Sequence, residues 1–197
     1  MSKDEVHPGE GDRSRVRELF PEVNEIQDPA LAQEVVDIWV EAWKASPWER
    51  LEEVPKNPET VSADHKLVTH VRSVTRQAMA LARSVQQFHG IQVNMDLLIA
   101  GGLLHDVSKL MEYSPGELGA EKSRFGELIQ HGSYAVHKAL AHGLPLELVH
   151  LLGSHTMQSR VAPSTLEAIL LFYADCADSD ALLWQAGRGL LLQRSFR

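Results

Sequence analysis

Met95-Asp96-Leu97-Leu98-Ile99-Ala100-Gly101-Gly102-Leu103-Leu104-His105-Asp106-Val107-Ser108-Lys109 is the stretch on which the reading of this chain turns. An apolar run ends in a histidine directly beside an aspartate. Burying an imidazole and a carboxylate without partners costs several kcal/mol. A metal ion would compensate, and its remaining ligands must then come from elsewhere in the chain.

The chain has 197 residues, enough for one domain with a substantial core. No run of about 18 apolar residues is present, so no membrane span is expected. The polar start, Met1 to Arg17, does not read as a secretory signal. Cys176 is the single cysteine, which rules out an internal disulfide and suits the cytoplasm. A net charge of −8 argues against non-specific nucleic-acid binding. It leaves room for a small anionic substrate, because a metal site supplies local positive charge. Ten histidines are present, most of them between His65 and His155.

Outward from that stretch, helical signals dominate. Asn94 caps the helix that carries it, expected to run to about Met111. Before it, Ser62 or Asp64 caps a long helix whose apolar face includes Leu67, His70, Val71, Val74, Ala78, Leu81, Ala82 and Val85, stopped by Gly90. Ser114 to Phe125 reads as an exposed loop, Glu127 to His142 as a helix, Pro145 to Leu152 as a shorter one, and Ser164 to Trp184 as the last long one. Towards the N-terminus, Asp28-Pro29 starts a helix with Leu31, Val35, Ile38 and Trp39 on one face. Pro47, Pro55 and Pro58 mark an irregular cover segment. The expectation is an all-α helical bundle. Residues 1–16 form a disordered tail, 17–61 an extra N-terminal helix packed as a satellite with its cover, and 62–197 the core.

Six polar residues interrupt apolar faces: His70, His105, Asp106, His131, His155 and Asp175, the last ending Leu170-Leu171-Phe172-Tyr173-Ala174. Metal sites in helical bundles are built from side chains on facing helices. Imidazole and carboxylate suit Fe, Mn, Zn, Ni or Co. Six ligands exceed what one catalytic ion with an open position takes, and they suit two ions sharing Asp106. Lys109, one turn beyond His105 and Asp106, would neutralise an oxyanion.

The order His70, His105-Asp106, Asp175 resembles the His…His-Asp…Asp signature of the HD-domain superfamily. Leu103 to Lys109 resembles its Leu-Leu-His-Asp-Ile-Gly-Lys, with Ser108 in place of the usual glycine. His131 and His155 match the extra histidines of the binuclear branch, and Ala174-Asp175 the Ala-Asp of the last ligand. The similarity spans roughly residues 62–184. It implies His70, His105, Asp106 and Asp175 around one divalent ion, Asp106, His131 and His155 around a second, and Lys109 on the substrate. It further implies hydrolysis of a phosphate ester or nucleotide with a metal-activated water. A minority of the superfamily holds two irons with the same ligands and uses O2 to cleave C–C or C–P bonds, and this oxygenase reading is the alternative.

Other residues have plainer roles. His65, in the first turn of its helix, is expected to cap or to be exposed. Asp178 and Asp180 are expected on a solvated face, with Asp178 also placed to partner a ligating histidine. Lys122 and Arg124 are expected to solubilise a loop, and Cys176 to be a small buried residue without an activating partner.

Overall fold

The computed structural model describes residues 9–117 and 119–193. The architecture is helical, with one two-stranded sheet among the described residues. The elements in order are α1 (Glu10–Leu19), a 3-10 turn (Pro21–Glu25), α2 (Pro29–Ala45), a second 3-10 turn (Leu51–Glu53), α3 (Leu67–His89), α4 (Met95–Leu104), α5 (Lys109–Glu112), β1 (Tyr113–Gly116), β2 (Gly119–Lys122), α6 (Arg124–Leu128), α7 (Ser133–Ala141), α8 (Leu146–Ser154) and α9 (Leu166–Gln185). No helix among the described residues is long and apolar enough to cross a membrane.

Helix α4 is the centre. Every residue from Leu98 to Leu104 is buried, the pattern of a helix apolar all round and covered on all sides. Gly101 and Gly102 let its neighbours approach. A Cβ on Gly101 would meet Leu151 Cδ2 of α8 at 2.5 Å, and one on Gly102 would meet Thr75 Oγ1 of α3 at 2.7 Å. The apolar run is therefore the shaft clamped between α3 and α8, and its C-terminal end delivers His105 and Asp106.

Two expectations about the N-terminal part change. Residues 1–8 of the tail expected to be disordered lie outside the described residues, but from Glu10 onward the chain is helical, and Val16 is buried. Nor is α2 a satellite. Asp28 caps it, accepting from the backbone N–H groups of Ala30 and Leu31. Its Val35, Val36, Ile38, Trp39, Val40 and Ala42 belong to the same apolar core as α3 and α4. The Trp39 indole N–H donates to the Leu103 carbonyl at 2.9 Å, and Phe20 stacks on Trp39 with ring centroids 4.5 Å apart. An indole buried with its N–H satisfied contributes both area and direction, so α2 braces the end of α4 that carries the site.

The cover segment is pinned as well. Lys56 N–H donates to the His65 carbonyl and Leu67 N–H to the Val54 carbonyl, both at 2.8 Å, forming an antiparallel bridge at Pro55 and Lys66. Helix α3 accordingly begins after Lys66, without a side-chain cap, not at Ser62 or Asp64.

Around the site the chain breaks into shorter pieces than the sequence suggested. Helix α4 stops at Leu104, and His105 to Ser108 form a turn before α5. The stretch read as an exposed loop holds the hairpin, with Tyr113 opposite Lys122 and Gly116 opposite Gly119. These four-residue strands have no alternating apolar face to betray them. The helix expected from Glu127 to His142 is broken by extended backbone at Ile129 and by Gly132, whose φ of +83° strains any side-chain-bearing residue.

Candidate metal centre

The six sequence candidates converge from five parts of the chain. His70 comes from α3, His105 and Asp106 from the turn after α4, His131 from the turn before α7, His155 from the end of α8, and Asp175 from α9. Asp106, 3% exposed, stands in the middle. Its Oδ2 lies 3.2 Å from His70 Nε2 and 3.7 Å from His105 Nε2. Its Oδ1 lies 3.1 Å from His131 Nε2 and 3.9 Å from His155 Nε2. Two clusters able to hold a metal ion result, His70–His105–Asp106 and Asp106–His131–His155, with the aspartate common to both. Asp175 joins the first, its Oδ1 3.3 Å from His70 Nε2. Lys109 Nζ is 3.8 Å from Asp106 Oδ1.

Each histidine is oriented from behind. His70 Nδ1 meets Asp178 at 2.6 Å, and His131 Nδ1 meets Glu112 at 2.7 Å. His105 Nδ1 meets the Gly102 carbonyl at 2.7 Å, and His155 Nδ1 the Leu152 carbonyl at 2.8 Å. The last two are the free carbonyls that any helix C-terminus leaves, and α4 and α8 use a histidine just past their ends to satisfy them. All four outer partners are acceptors, so every Nδ1 donates and every Nε2 lone pair faces inward. Facing lone pairs at 3.5 Å (His70 and His105) and 3.2 Å (His131 and His155) repel unless a cation lies between them.

The protonation behaviour of the protein groups alone reflects the same demand. Burial pulls His70 down, but Asp106, Asp175 and Asp178 outweigh it and raise it to about 10. Burial and Lys109 pull His131 down, and the carboxylates of Asp106 and Glu112 carry it up to about 9. Their partners move the other way. Burial, with His131 and His105 nearby, brings His155 down to about 4, and burial lowers His105. Asp106 is held well below the usual carboxylate range, against burial, by Lys109 and the histidines. In each histidine pair one imidazole is raised and its partner lowered, so the surrounding carboxylates favour one positive charge between the two rings. The mixed imidazole and carboxylate donor set fits a divalent transition ion.

Ser108, the departure from the family glycine, also has a reason. It is fully buried, and its hydroxyl accepts the Ala135 N–H at 3.0 Å. That N–H, in the first turn of α7, has no carbonyl within its own helix. Ser108 caps α7 from outside and so ties the Asp106 turn to the helix beginning beside His131.

Three residues of the site were not picked out or were read otherwise. Glu112, one turn after Lys109, buttresses His131. Asp178 was expected on a solvated face, with partnership as the lesser role; it holds His70 and accepts from Ser73 and Gln77. Its i, i+3 spacing from Asp175, matched by Ser73 three after His70, was the available signal. Lys56 had none, because it lies in the irregular cover. Together with Lys109, Asp106, His70 and Tyr113 it lines a cavity of about 370 Å³ over the clusters, within the range of small-molecule sites. His65 is not in either cluster. His142, at the C-terminal end of α7, bonds Glu34 and Glu41 of α2.

A helical core of this kind around a shared aspartate and two histidine pairs defines a class. Residues 67–180 match the HD domain, more than half of the chain, and the chain belongs to the HD-domain family. HD domains bind divalent metals, and the two clusters could hold them. Among curated proteins the chain is similar to the dihydroneopterin 2',3'-cyclic phosphate phosphodiesterase of Methanocaldococcus jannaschii, with 32% identity over 131 residues, 64% of this chain and 53% of that protein. The chain thus matches about half the length of this relative. No solved structure matches it significantly.

Proposed function

We propose that the chain is a metal-dependent phosphohydrolase that cleaves a phosphate ester of a small molecule. The observation that carries this is Asp106, placed with one oxygen toward each histidine pair and Lys109 beside it, at the floor of a cavity of small-molecule size. His70, His105, Asp106 and Asp175 would hold one divalent ion, and Asp106, His131 and His155 a second, drawn from Fe, Mn, Zn, Ni or Co. Such ions polarise phosphoryl oxygens and lower the pKa of bound water. The chain's own groups do the rest. The outer acceptors fix each imidazole before substrate arrives. Lys109 sits where negative charge develops on the phosphoryl oxygens, and burial strengthens its effect there. The single cysteine, Cys176, fits a cytoplasmic setting.

The archaeal relative is named for a cyclic phosphodiester, which supports hydrolysis over the oxidative alternative and puts cyclic and linear phosphodiesters of small molecules first among substrates. The test is elemental analysis of protein purified without added metal, followed by turnover of a phosphoester and nucleotide panel. Asp106→Ala should lose both ions and nearly all activity, and His155→Ala mainly one ion. Two ions at full occupancy in Asp106→Ala would refute the shared-aspartate arrangement. Two irons with O2 consumed on substrate would overturn the hydrolase reading.

A further inference from the structure

Lys56 is 7% exposed, yet it has no carboxylate within ion-pair distance among the described residues. Its one side-chain partner is the Ser179 hydroxyl, which accepts from Nζ at 2.7 Å and itself donates to Asp175 Oδ1 at 3.3 Å. An ammonium has three N–H donors, so two remain without a protein acceptor. An ammonium buried without a counter-charge is strongly disfavoured. The Lys56 backbone N–H donates to the His65 carbonyl beside the Pro55–Lys66 bridge, which fixes the segment that carries the side chain. Burial pulls its pKa down while Asp175 and Asp106 pull it up, and the balance stays downward, so the surroundings fall short of neutralising it. Lys56 and Lys109 line the same cavity, Lys109 beside the Asp106 oxygen that faces His131, Lys56 linked through Ser179 to the carboxylate that faces His70.

We propose that Lys56 is a substrate-binding residue whose ammonium, lining the same cavity as Lys109, takes an oxygen of the substrate's phosphate. The missing counter-charge is then the substrate itself. This rests on the phosphohydrolase reading for the nature of the anion. It also gives the irregular segment before α3 a role, that of carrying a cation over the clusters.

The experiment uses the full chain with its metal as purified, inorganic phosphate as the probe in calorimetric titration, and metal content measured alongside. Lys56→Met keeps the length and removes the charge; Lys56→Arg keeps the charge. Losing a charge-assisted hydrogen bond should weaken phosphate binding by about tenfold to a hundredfold in Lys56→Met. Metal content should be unchanged, and Lys56→Arg should recover part of the affinity. On any phosphoester the wild type turns over, KM should rise in Lys56→Met more than kcat falls. Wild-type phosphate affinity in metal-replete Lys56→Met would overturn the proposal. Loss of metal in Lys56→Met would overturn it too, making Lys56 a support for Asp175 through Ser179. Weakened phosphate binding in Lys56→Met, from a wild type that hydrolyses no phosphoester, would support Lys56 as an anion site and sink the phosphohydrolase reading.

Discussion

Replacing Glu112 by glutamine should selectively weaken one of the two ions proposed for the clusters. Glu112 is buried and contacts His131 Nδ1 through both oxygens, at 2.7 and 3.0 Å. Burial would raise its pKa, but the hydrogen bond and charge of His131, with Lys109 nearby, hold it below the usual value, so it is a carboxylate. Glutamine keeps one acceptor oxygen for Nδ1, but it removes the charge and replaces the second oxygen with an NH2 group that cannot accept. A hydrogen bond to a charged group contributes about 1.5–3 kcal/mol and a neutral one about 0.5–1.5 kcal/mol. The difference, about 1–1.5 kcal/mol, corresponds to roughly a tenfold loss of affinity at the His131–His155 cluster, in line with the effect of outer partners at metal sites. The ion at His70 and His105 should stay, because its histidines rest on Asp178 and the Gly102 carbonyl. Equilibrium dialysis against a graded chelator, with metal counted per chain, separates the two losses. Equal loss of both ions, or no difference from wild type, would refute the assignment of Glu112 to one cluster. Asp178→Asn should produce the converse, and a larger effect, since its amide would also oppose the donors of Ser73 and Gln77.

Other perturbations test the scaffold. Ser108→Ala leaves the buried Ala135 N–H unpaired and should destabilise the fold by about 1–3 kcal/mol in urea unfolding; an unchanged midpoint would remove its capping role. Gly102→Ala drives a methyl to within 2.7 Å of Thr75 Oγ1 and 3.1 Å of its Cα. It should lower stability by about 1–3 kcal/mol, visible as a lower Tm. The third concerns pH. His142 is partly buried, which lowers its pKa, but Glu34 and Glu41 outweigh this and raise it above 6.5. A histidine raised in the folded state contributes stability fully present below about pH 6.5, lost as pH rises through its folded value. Burial would raise Glu41, yet Lys138 and His142 lower it below 4.5, so its contribution is lost as pH falls through that lowered value. The stability gap between wild type and His142→Ala should therefore be widest between about pH 4.5 and 6.5 and narrow on either side; a gap that grows above pH 8 would contradict this pairing.

Much of the site was legible because its candidate ligands announce themselves by context. His105-Asp106 ends an apolar helix, Asp175 ends another, and His70 interrupts an amphipathic face. Each is a polar group where periodicity demands an apolar one, and the conflict is visible locally. Ser73 and Asp178 sit one turn from His70 and Asp175 and were within reach of the same argument. The hairpin and the broken helix before α7 were not legible, since four-residue strands are too short to show a period and the break depends on extended backbone at Ile129 and one glycine at +83°.

By itself the sequence determined the helical class, the central apolar segment and the six residues that meet at the clusters, because hydrophobic period and misplaced polarity are properties of a few consecutive turns. Only the tertiary structure decided that α2 belongs to the core, that Glu112 stands behind His131, and that Lys56 reaches the cavity without a counter-charge. Those facts depend on contacts between residues far apart in the chain, such as Lys56 with Ser179 and Trp39 with Leu103. The packing of α4 between α3 and α8 brings such pairs together, and no local pattern encodes that distance.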